Sequence, residues 1–425
     1  MTGLGRAAWR VSRRRRANSA SNRASREGSV PEVTSRQGEA AVSQQHIPAS
    51  GTVHWIGAGL STGSGLTALT AQADRVRLWH RTVDRAAEAL DRLGIADRAE
   101  PRAYTLDALA AELAPGDVVV SMLPAGDHPA LLAACVAGQA HFACSSYVSD
   151  EIAAQAEAAR AAGLTVLTEA GLDPGIDHLF AHSLVSRARA EIGAENRATY
   201  SLTSWCGGLP AVPNSFRYRF SWAPLGVLNA LRSPARHIES GVEKVTPLPW
   251  EATRELALGG ETFEAYPNRD SVPFIAQYDL PSGWLADTFV RGTLRLQGWQ
   301  QAWDSVFAEL KKGDDARIAE LAGELARTYP TTRADRDRVV LGVSLSVRSP
   351  NGRTWSGSYL LDRVGTAEES AMAHTVSRPL ALGARHILDS SLPPGLSRAA
   401  ETAVRSEEWL NELAEEGLEF TMRVG

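Results

Sequence analysis

Between residues 52 and 168 the chain keeps a regular rhythm of short apolar runs and longer stretches in which apolar residues recur every three or four positions. The runs cover 52–56, 76–79, 117–122, 140–145 and 165–168, and each reads as a strand. The stretches between them, 65–73, 82–93, 106–113, 128–137 and 150–162, read as helices; in the second, Ala86, Ala89, Leu90 and Leu93 fall on one face. Strands alternating with helices through short Gly, Pro and Asp turns predict a parallel sheet covered on both faces.

The rhythm changes after Glu169. Pro and Trp become frequent, and strand-like segments at 217–222 and 288–297 stand without regular helical crossovers. Residues 300–329 read as helical. A hairpin is expected from 339–347 and 354–361, joined by Ser349-Pro350-Asn351-Gly352. The last sixty residues read as mostly helical.

The 425 residues are long enough for two or three domains, and 44% hydrophobic with 22% charged residues is an ordinary soluble composition. No apolar run approaches the roughly 18 residues a membrane span needs. Residues 1–50 hold nine arginines, four of them in the run Arg13–Arg16, against three glutamates. Few large apolar side chains accompany them, and no apolar stretch follows as a signal peptide would require, so the segment reads as a disordered tail with no assigned function. The remaining chain carries 35 basic and 46 acidic residues, a poor balance for binding nucleic acid. Cys135, Cys144 and Cys206 form no C-x-x-C pair, which excludes a disulfide scaffold or zinc ribbon and points to a reducing, cytoplasmic setting.

Gly57-x-Gly59-x-x-x-Gly63 lies between the first strand and the first helix. The first glycine permits a tight turn, the second lets backbone approach a pyrophosphate, and the helix start offers free N–H groups to the anion. Thr62 occupies the usual third glycine position. The expected cofactor contacts are Gly57, Gly59, Leu60, Ser61 and Gly63, with Leu123 and Pro124 after the fourth strand. The second strand ends Trp79-His80-Arg81-Thr82, with no carboxylate before Asp84. Arg81 can pair bidentately with a 2′-phosphate and Thr82 can donate to it, which favours NADP(H) over NAD(H).

Beyond these strands the chain resembles the saccharopine reductases, the glutamate-forming saccharopine dehydrogenases. The resemblance is carried by Ser145-Ser146-Tyr147-Val148-Ser149, Glu169-Ala170-Gly171-Leu172-Asp173-Pro174-Gly175-Ile176-Asp177-His178 and Trp205-Cys206-Gly207-Gly208-Leu209-Pro210. It continues through Phe220-Ser221-Trp222, Tyr266-Pro267-Asn268-Arg269-Asp270-Ser271 and Arg291-Gly292-Thr293-Leu294-Arg295. It implies an α/β fold: an N-terminal Rossmann-type doubly wound parallel sheet (51–172), an inserted α+β substrate and dimerisation domain (173–365), and C-terminal helices returning to the first domain (366–425). It also implies a homodimer and an NADPH-linked reaction that makes and reduces an imine between glutamate and 2-aminoadipate semialdehyde, or the reverse. Two positions depart from fungal members: Ala125 follows Leu123-Pro124 where they carry an aromatic residue, and Leu225 stands where they carry an arginine.

For acid–base chemistry the strongest residues are Asp177, His178 and Tyr147, with Ser146, Tyr147, Asp150, Asp173, Arg269 and Arg232 expected to contact substrate. Structural roles compete: Asp177 and Asp150 could be helix N-caps, Asp173 a turn residue, and Tyr147 a lid on the core. Arg232, Arg236, Arg269 and Arg291 could each grip a carboxylate; Arg269 stands out because Asn268 and Asp270 flank it, although a local Arg269–Asp270 pair would be merely structural. His178 and His182 are four apart, yet Leu179 replaces the glutamate of a hydrolytic zinc motif and no third ligand is evident, so no metal is expected. Cys206 has no activating partner and reads as a small buried residue. The expected function is oxidation or reduction of a secondary amine linking two amino-acid units. The alternatives are the same chemistry on a carboxylated polyamine or opine-like conjugate, which Leu225 permits, and a catalytically silent NADP-binding sensor.

Overall fold

The computed structural model describes residues 46–194, 197–332 and 334–425; the arginine-rich tail lies outside them. The first region runs β1 (Thr52–Ile56), α1 (Ser64–Leu69), β2 (Arg75–His80), α2 (Val83–Leu93), β3 (Glu100–Ala103) and α3 (Leu106–Glu112). It continues with β4 (Val118–Ser121), α4 (His128–Ala137), β5 (His141–Cys144), α5 (Asp150–Ala161) and β6 (Thr165–Thr168). Every residue of β4, β5 and β6 is buried, because helices cover both faces of the sheet. Thr82, Thr105 and Ser149 cap α2, α3 and α5 through their side-chain oxygens, and Gly94 ends α2 in the left-handed conformation.

The middle of the chain runs α6 (Ile176–Ile192), β7 (Thr199–Pro210), α7 (Pro224–Arg232), β8 (Ala235–Glu239), β9 (Val242–Thr246), β10 (Arg254–Leu258), β11 (Glu261–Pro267), α8 (Phe274–Gln277) and β12 (Leu285–Leu296). Then come α9 (Trp299–Ala302), α10 (Asp304–Lys312), α11 (Asp315–Thr328) and the hairpin β13 (Asp337–Arg348) and β14 (Thr354–Val364). The chain closes with α12 (Ala371–Leu388), β15 (Gly395–Arg398), α13 (Ala403–Glu415) and β16 (Thr421–Val424).

The first sheet is parallel throughout, in the order β15-β6-β5-β4-β1-β2-β3. Its strand order reverses between β1 and β4, where an open α/β sheet leaves a crevice at its carboxyl edge. The second sheet is mixed, β10-β11-β12-β7-β13-β14-β16, with β12 and β7 parallel and the β8–β9 hairpin attached to β12. Asp337, buried at the start of β13, accepts hydrogen bonds from the backbone N–H of Ala371 and Met372, and so fixes the first turn of α12 to this sheet.

Several segments differ from the expectation. Residues 217–222 form no strand: Phe216 packs on Trp303 and Tyr329, Tyr218 on Trp303, and Phe220 on both Phe216 and Tyr218, while the Asn214 side chain takes both backbone hydrogen bonds of Tyr218. The helical stretch 300–329 is three helices, broken at Gly313 with φ +74°, after which Asp314 caps α11. Strands β3, β15 and β16 are only four residues each, too short for a period-2 signal, and the last two lie in a region read as helical. Among the described residues no helix is long and apolar enough to cross a membrane.

Candidate functional site

The loops after β5 and β6 bring Tyr147 and Asp173 together at the carboxyl edge of the first sheet, where the Tyr147 hydroxyl donates to Asp173 Oδ1 at 2.6 Å. Asp177 follows on the first turn of α6. The N-cap of that helix is Gly175 (φ +147°), and an added Cβ there would strike the Gly171 backbone. Asp177 is therefore not the cap; its Oδ1 accepts from Gly175 N and leaves Oδ2 free to point inward.

The cation between these carboxylates is Arg291, 3% exposed in β12. Its Nη2 donates to Asp177 Oδ2 (2.5 Å), Asp173 Oδ1 (2.7 Å) and the Tyr147 oxygen (2.9 Å), while the guanidinium lies 4.1 Å over the Phe274 ring. Burial and the neighbouring Asp177 charge raise the Asp173 carboxyl, against the pull of Arg291. Burial likewise pushes the Tyr147 phenol well above its usual range.

Behind this cluster, His178 Nδ1 meets the Tyr278 hydroxyl at 2.7 Å, and the ring stacks on Phe274. Its Nε2 lies 3.3 Å from Glu169 Oε2, an ion-pair distance but too poorly aligned for a full hydrogen bond. Burial alone would raise the Glu169 carboxyl; His178, a hydrogen bond from Gln277 and the Arg398 charge instead bring it down to about 2.

The segment after β11 is strapped across β8 and β12. Arg236 N donates to the Arg269 carbonyl, Ser271 N to the Arg236 carbonyl, and Arg291 N to Ser271 Oγ. Arg269 sits at φ +54° with its guanidinium 5.4 Å over the Tyr147 ring, beside the cluster. Asp270 pairs with Arg236 and not with Arg269. Arg232 lies elsewhere, donating to Asp315 and the Gly313 carbonyl. Asp150 is an exposed first residue of α5, whose cap is Ser149. Ser146 borders the site, its carbonyl accepting from Glu169 N. His182 is buried next to His178 and Tyr278, and among the described residues no three His, Cys, Asp or Glu side chains converge as metal ligands.

The glycine loop lies at the same edge, after β1. Gly57 has φ +98° and its carbonyl accepts from Thr62 Oγ1, so Thr62 closes the loop where a third glycine is usual. A Cβ on Gly59 would meet nothing within 4 Å, so packing within the chain does not demand this glycine, and the space above it suits a ligand backbone. Leu60 is exposed and Ser61 half-buried beside it, whereas a Cβ on Gly63 would strike Glu369. Leu123 and Pro124 line the neighbouring turn after β4, with Leu123 N donating to Ser121 Oγ. At the end of β2, Arg81 is exposed and Thr82 caps α2. Burial and the charges of Arg81, Arg85 and Arg92 lower the His80 pKa, so this corner is cationic and fits a 2′-phosphate.

Sequence reasoning did not place Glu169, Phe274, Gln277, Tyr278 or Arg398. Tyr278 lies a hundred positions from His178, and no spacing rule connects them. The one available signal was Glu169 itself, a carboxylate directly after the short β-prone run 165–168.

Two family models match in sequence, the saccharopine dehydrogenase NADP binding domain over residues 53–167 and the saccharopine dehydrogenase C-terminal domain over 171–418. The chain is 36% identical over 262 residues to saccharopine dehydrogenase [NADP(+), L-glutamate-forming] of Pyricularia oryzae, covering 60% of this chain and 56% of that protein. It is 30% identical over 359 residues to the Saccharomyces cerevisiae protein of the same name, covering 67% and 79%. The mitochondrial alpha-aminoadipic semialdehyde synthase of Bos taurus is 28% identical over 365 residues, 67% of this chain but 38% of that longer protein. The chain thus spans about half the length of the first curated relatives it matches. The fold is that of apo saccharopine dehydrogenase (L-Glu forming) from Saccharomyces cerevisiae, with a TM-score of 0.74 at 24% identity, covering 88% of this chain and 99% of that one. It also resembles a homospermidine synthase from Legionella pneumophila, with a TM-score of 0.57 at 11% identity, covering 89% and 92%. With both models matched in order and the second covering more than half its length, the chain belongs to the saccharopine dehydrogenase family.

Proposed function

We propose that this protein is an NADP(H)-dependent oxidoreductase that acts on the CH–NH bond of a secondary amine joining two amino-acid units, with saccharopine as the leading substrate. The observation that carries the reading is the buried group Tyr147, Asp173, Asp177 and Arg291 at the carboxyl edge of a Rossmann-type sheet, level with an open glycine loop. Gly57, Gly59, Leu60, Ser61 and Gly63 would hold the pyrophosphate, Arg81 with Arg85 the 2′-phosphate, and Leu123 and Pro124 the inner wall. When bound, the nicotinamide exchanges a hydride with the carbon beside the substrate nitrogen.

The protein's own contribution is to place that nitrogen and manage its proton. Asp173, raised by burial and Asp177, takes the proton from the secondary ammonium, and Tyr147 keeps its hydroxyl neutral as a donor. Arg291 holds both carboxylates in one geometry, and Arg269 over the Tyr147 ring meets a substrate carboxylate. Loss of hydride and proton leaves an imine; water adds to its carbon and the C–N bond breaks, releasing an amino acid and an aldehyde. His178, facing Tyr278 and Glu169 behind the cluster, supports the reading as the next proton acceptor inward.

We further read 51–172 and 366–425 as the cofactor part, supported by α12 against α1 and β15 beside β6, and 173–365 as the substrate and dimerisation part. A homodimer rests on the family resemblance, and a cytoplasmic location on three unpaired cysteines. The test is NADPH formation at 340 nm from saccharopine, with glutamate and an aldehyde recovered in equal amounts. NADP binding without turnover of saccharopine or of polyamine conjugates would instead favour a sensor.

A further inference from the structure

The spacing of the glycine loop is one residue longer than usual, with Thr62 in the third glycine's place and Gly63 after it. Gly63 has φ −151°, so no left-handed turn demands a glycine there. The demand comes from the C-terminal part of the chain: a Cβ on Gly63 would lie 2.1 Å from Glu369 Oε1 and 3.0 Å from the Ala373 Cβ. The loop is shaped around a carboxylate that arrives from 305 positions beyond Ser64.

Glu369 Oε1 accepts from Ser64 N, and Oε2 faces His374 Nδ1 at 2.9 Å. Arg378 Nε donates to Ser64 Oγ at 2.9 Å, and its Nη1 lies 3.5 Å from Glu416 Oε2. Burial alone would raise the Glu369 carboxyl; His374 and the Ser64 N–H instead bring it below its ordinary value, so it is charged at neutral pH. The carboxylate cannot withdraw by moving its backbone. Glu369 N donates to Thr366 Oγ1, Thr366 N donates to the Glu369 carbonyl, and two residues on the Asp337 carboxylate holds Ala371 N and Met372 N. The Ser64 N–H, a loop donor that could have turned to phosphate, is committed to an anion of the chain itself.

We propose that Glu369 is a negative determinant of cofactor affinity: its carboxylate stands as a like charge beside the pyrophosphate of NADP(H) and weakens the grip of the glycine loop. The inference rests on the reading above for the place of the pyrophosphate at Gly57 to Gly63. It divides the cofactor site between two tasks. The cationic corner at the end of β2 selects the nucleotide by its 2′-phosphate, while the pyrophosphate is held loosely enough for the spent nucleotide to leave at each turnover.

The test is titration of the wild type and of Glu369→Gln with NADP and with adenosine 2′-monophosphate, which keeps the 2′-phosphate and lacks the pyrophosphate. Glutamine keeps an acceptor for Ser64 N and removes the charge. Glu369→Gln should bind NADP about 3- to 10-fold more tightly, the scale of one partly screened like charge, with affinity for adenosine 2′-monophosphate unchanged. Release of NADPH in stopped-flow should slow by a similar factor. Unchanged or weaker NADP binding, or equal tightening of both ligands, overturns the proposal; a Glu369 that only ties α12 to α1 predicts the first, with a lower melting temperature. If Glu369→Gln does not fold, Glu369→Asp decides, because the shorter side chain draws the charge back from the loop. Tightening of NADP alone then supports the proposal, and unchanged or weaker binding overturns it. The wild type separates this inference from the reading beneath it. If it binds NADP no more tightly than adenosine 2′-monophosphate, the glycine loop does not hold the pyrophosphate and both fall; if it binds NADP more tightly and Glu369→Gln changes nothing, the role of Glu369 falls alone.

Discussion

Asp270 is held by Arg236, through Nε at 2.9 and 3.0 Å and Nη2 at 2.9 Å, and its chain neighbour Arg269 is left without a carboxylate partner among the described residues, in a left-handed backbone conformation over the Tyr147 ring. A φ of +54° costs a non-glycine residue about 1 kcal/mol, a strain that neighbouring contacts must hold. Arg269→Gly is therefore expected to keep or raise the melting temperature while KM for saccharopine rises about tenfold or more, the scale of one charge-assisted contact. Calorimetry and steady-state kinetics on one variant check this; a fall in melting temperature with unchanged kinetics would make Arg269 structural.

Arg291 should behave oppositely. Removing it leaves Asp173 and Asp177 buried together, so Arg291→Ala is expected to cost about 3–5 kcal/mol in urea unfolding. Combining Arg291→Met with Asp173→Asn and Asp177→Asn should recover most of that stability and none of the oxidation of saccharopine. Recovery of activity with stability would remove the cluster from the chemistry.

At the end of β2, Arg81→Asp replaces a phosphate partner with a like charge. NADPH affinity should fall by about 1.5–3 kcal/mol, roughly tenfold to a hundredfold, with NADH affinity almost unchanged. Fluorescence titration of both nucleotides measures the difference, and equal losses would show that Arg81 does not read the 2′-phosphate.

His182 supplies a pH test away from catalysis. Burial, and then the neighbouring His178, lower its pKa to about 4, and its Nε2 has no hydrogen-bond partner among the described residues. The unfolded chain takes up this proton near pH 6.5 and the folded one only near 4, so folding is penalised progressively as pH falls through that window. The penalty approaches about 3 kcal/mol at its acid end. His182→Leu should flatten the fall in melting temperature between pH 6.5 and 4; an unaltered slope would place the acid sensitivity elsewhere.

The sequence by itself determined five strands of the first sheet, β1, β2, β4, β5 and β6, because each is a short β-prone run between helices that repeat at 3.6 residues; β3 and β15, with Glu100-Pro101-Arg102-Ala103 and Gly395-Leu396-Ser397-Arg398, carry no such run. It also determined the glycine loop and the Tyr147, Asp173, Asp177 and His178 neighbourhood, since these follow consecutive strands of one sheet and must meet at its carboxyl edge. What it left open was every contact made across the two sheets. Arg291 ranked behind Arg269 among four candidate arginines until β12 carried it between Asp173 and Asp177, and Arg232 was expected at the substrate until α7 turned it toward Asp315. Tyr278 found His178, and Arg236 took Asp270 from Arg269. Those pairings depend on which distant backbones are brought within a few ångströms and shielded from water; a chain read in order carries no distance between residues a hundred apart, so only the tertiary structure decided them.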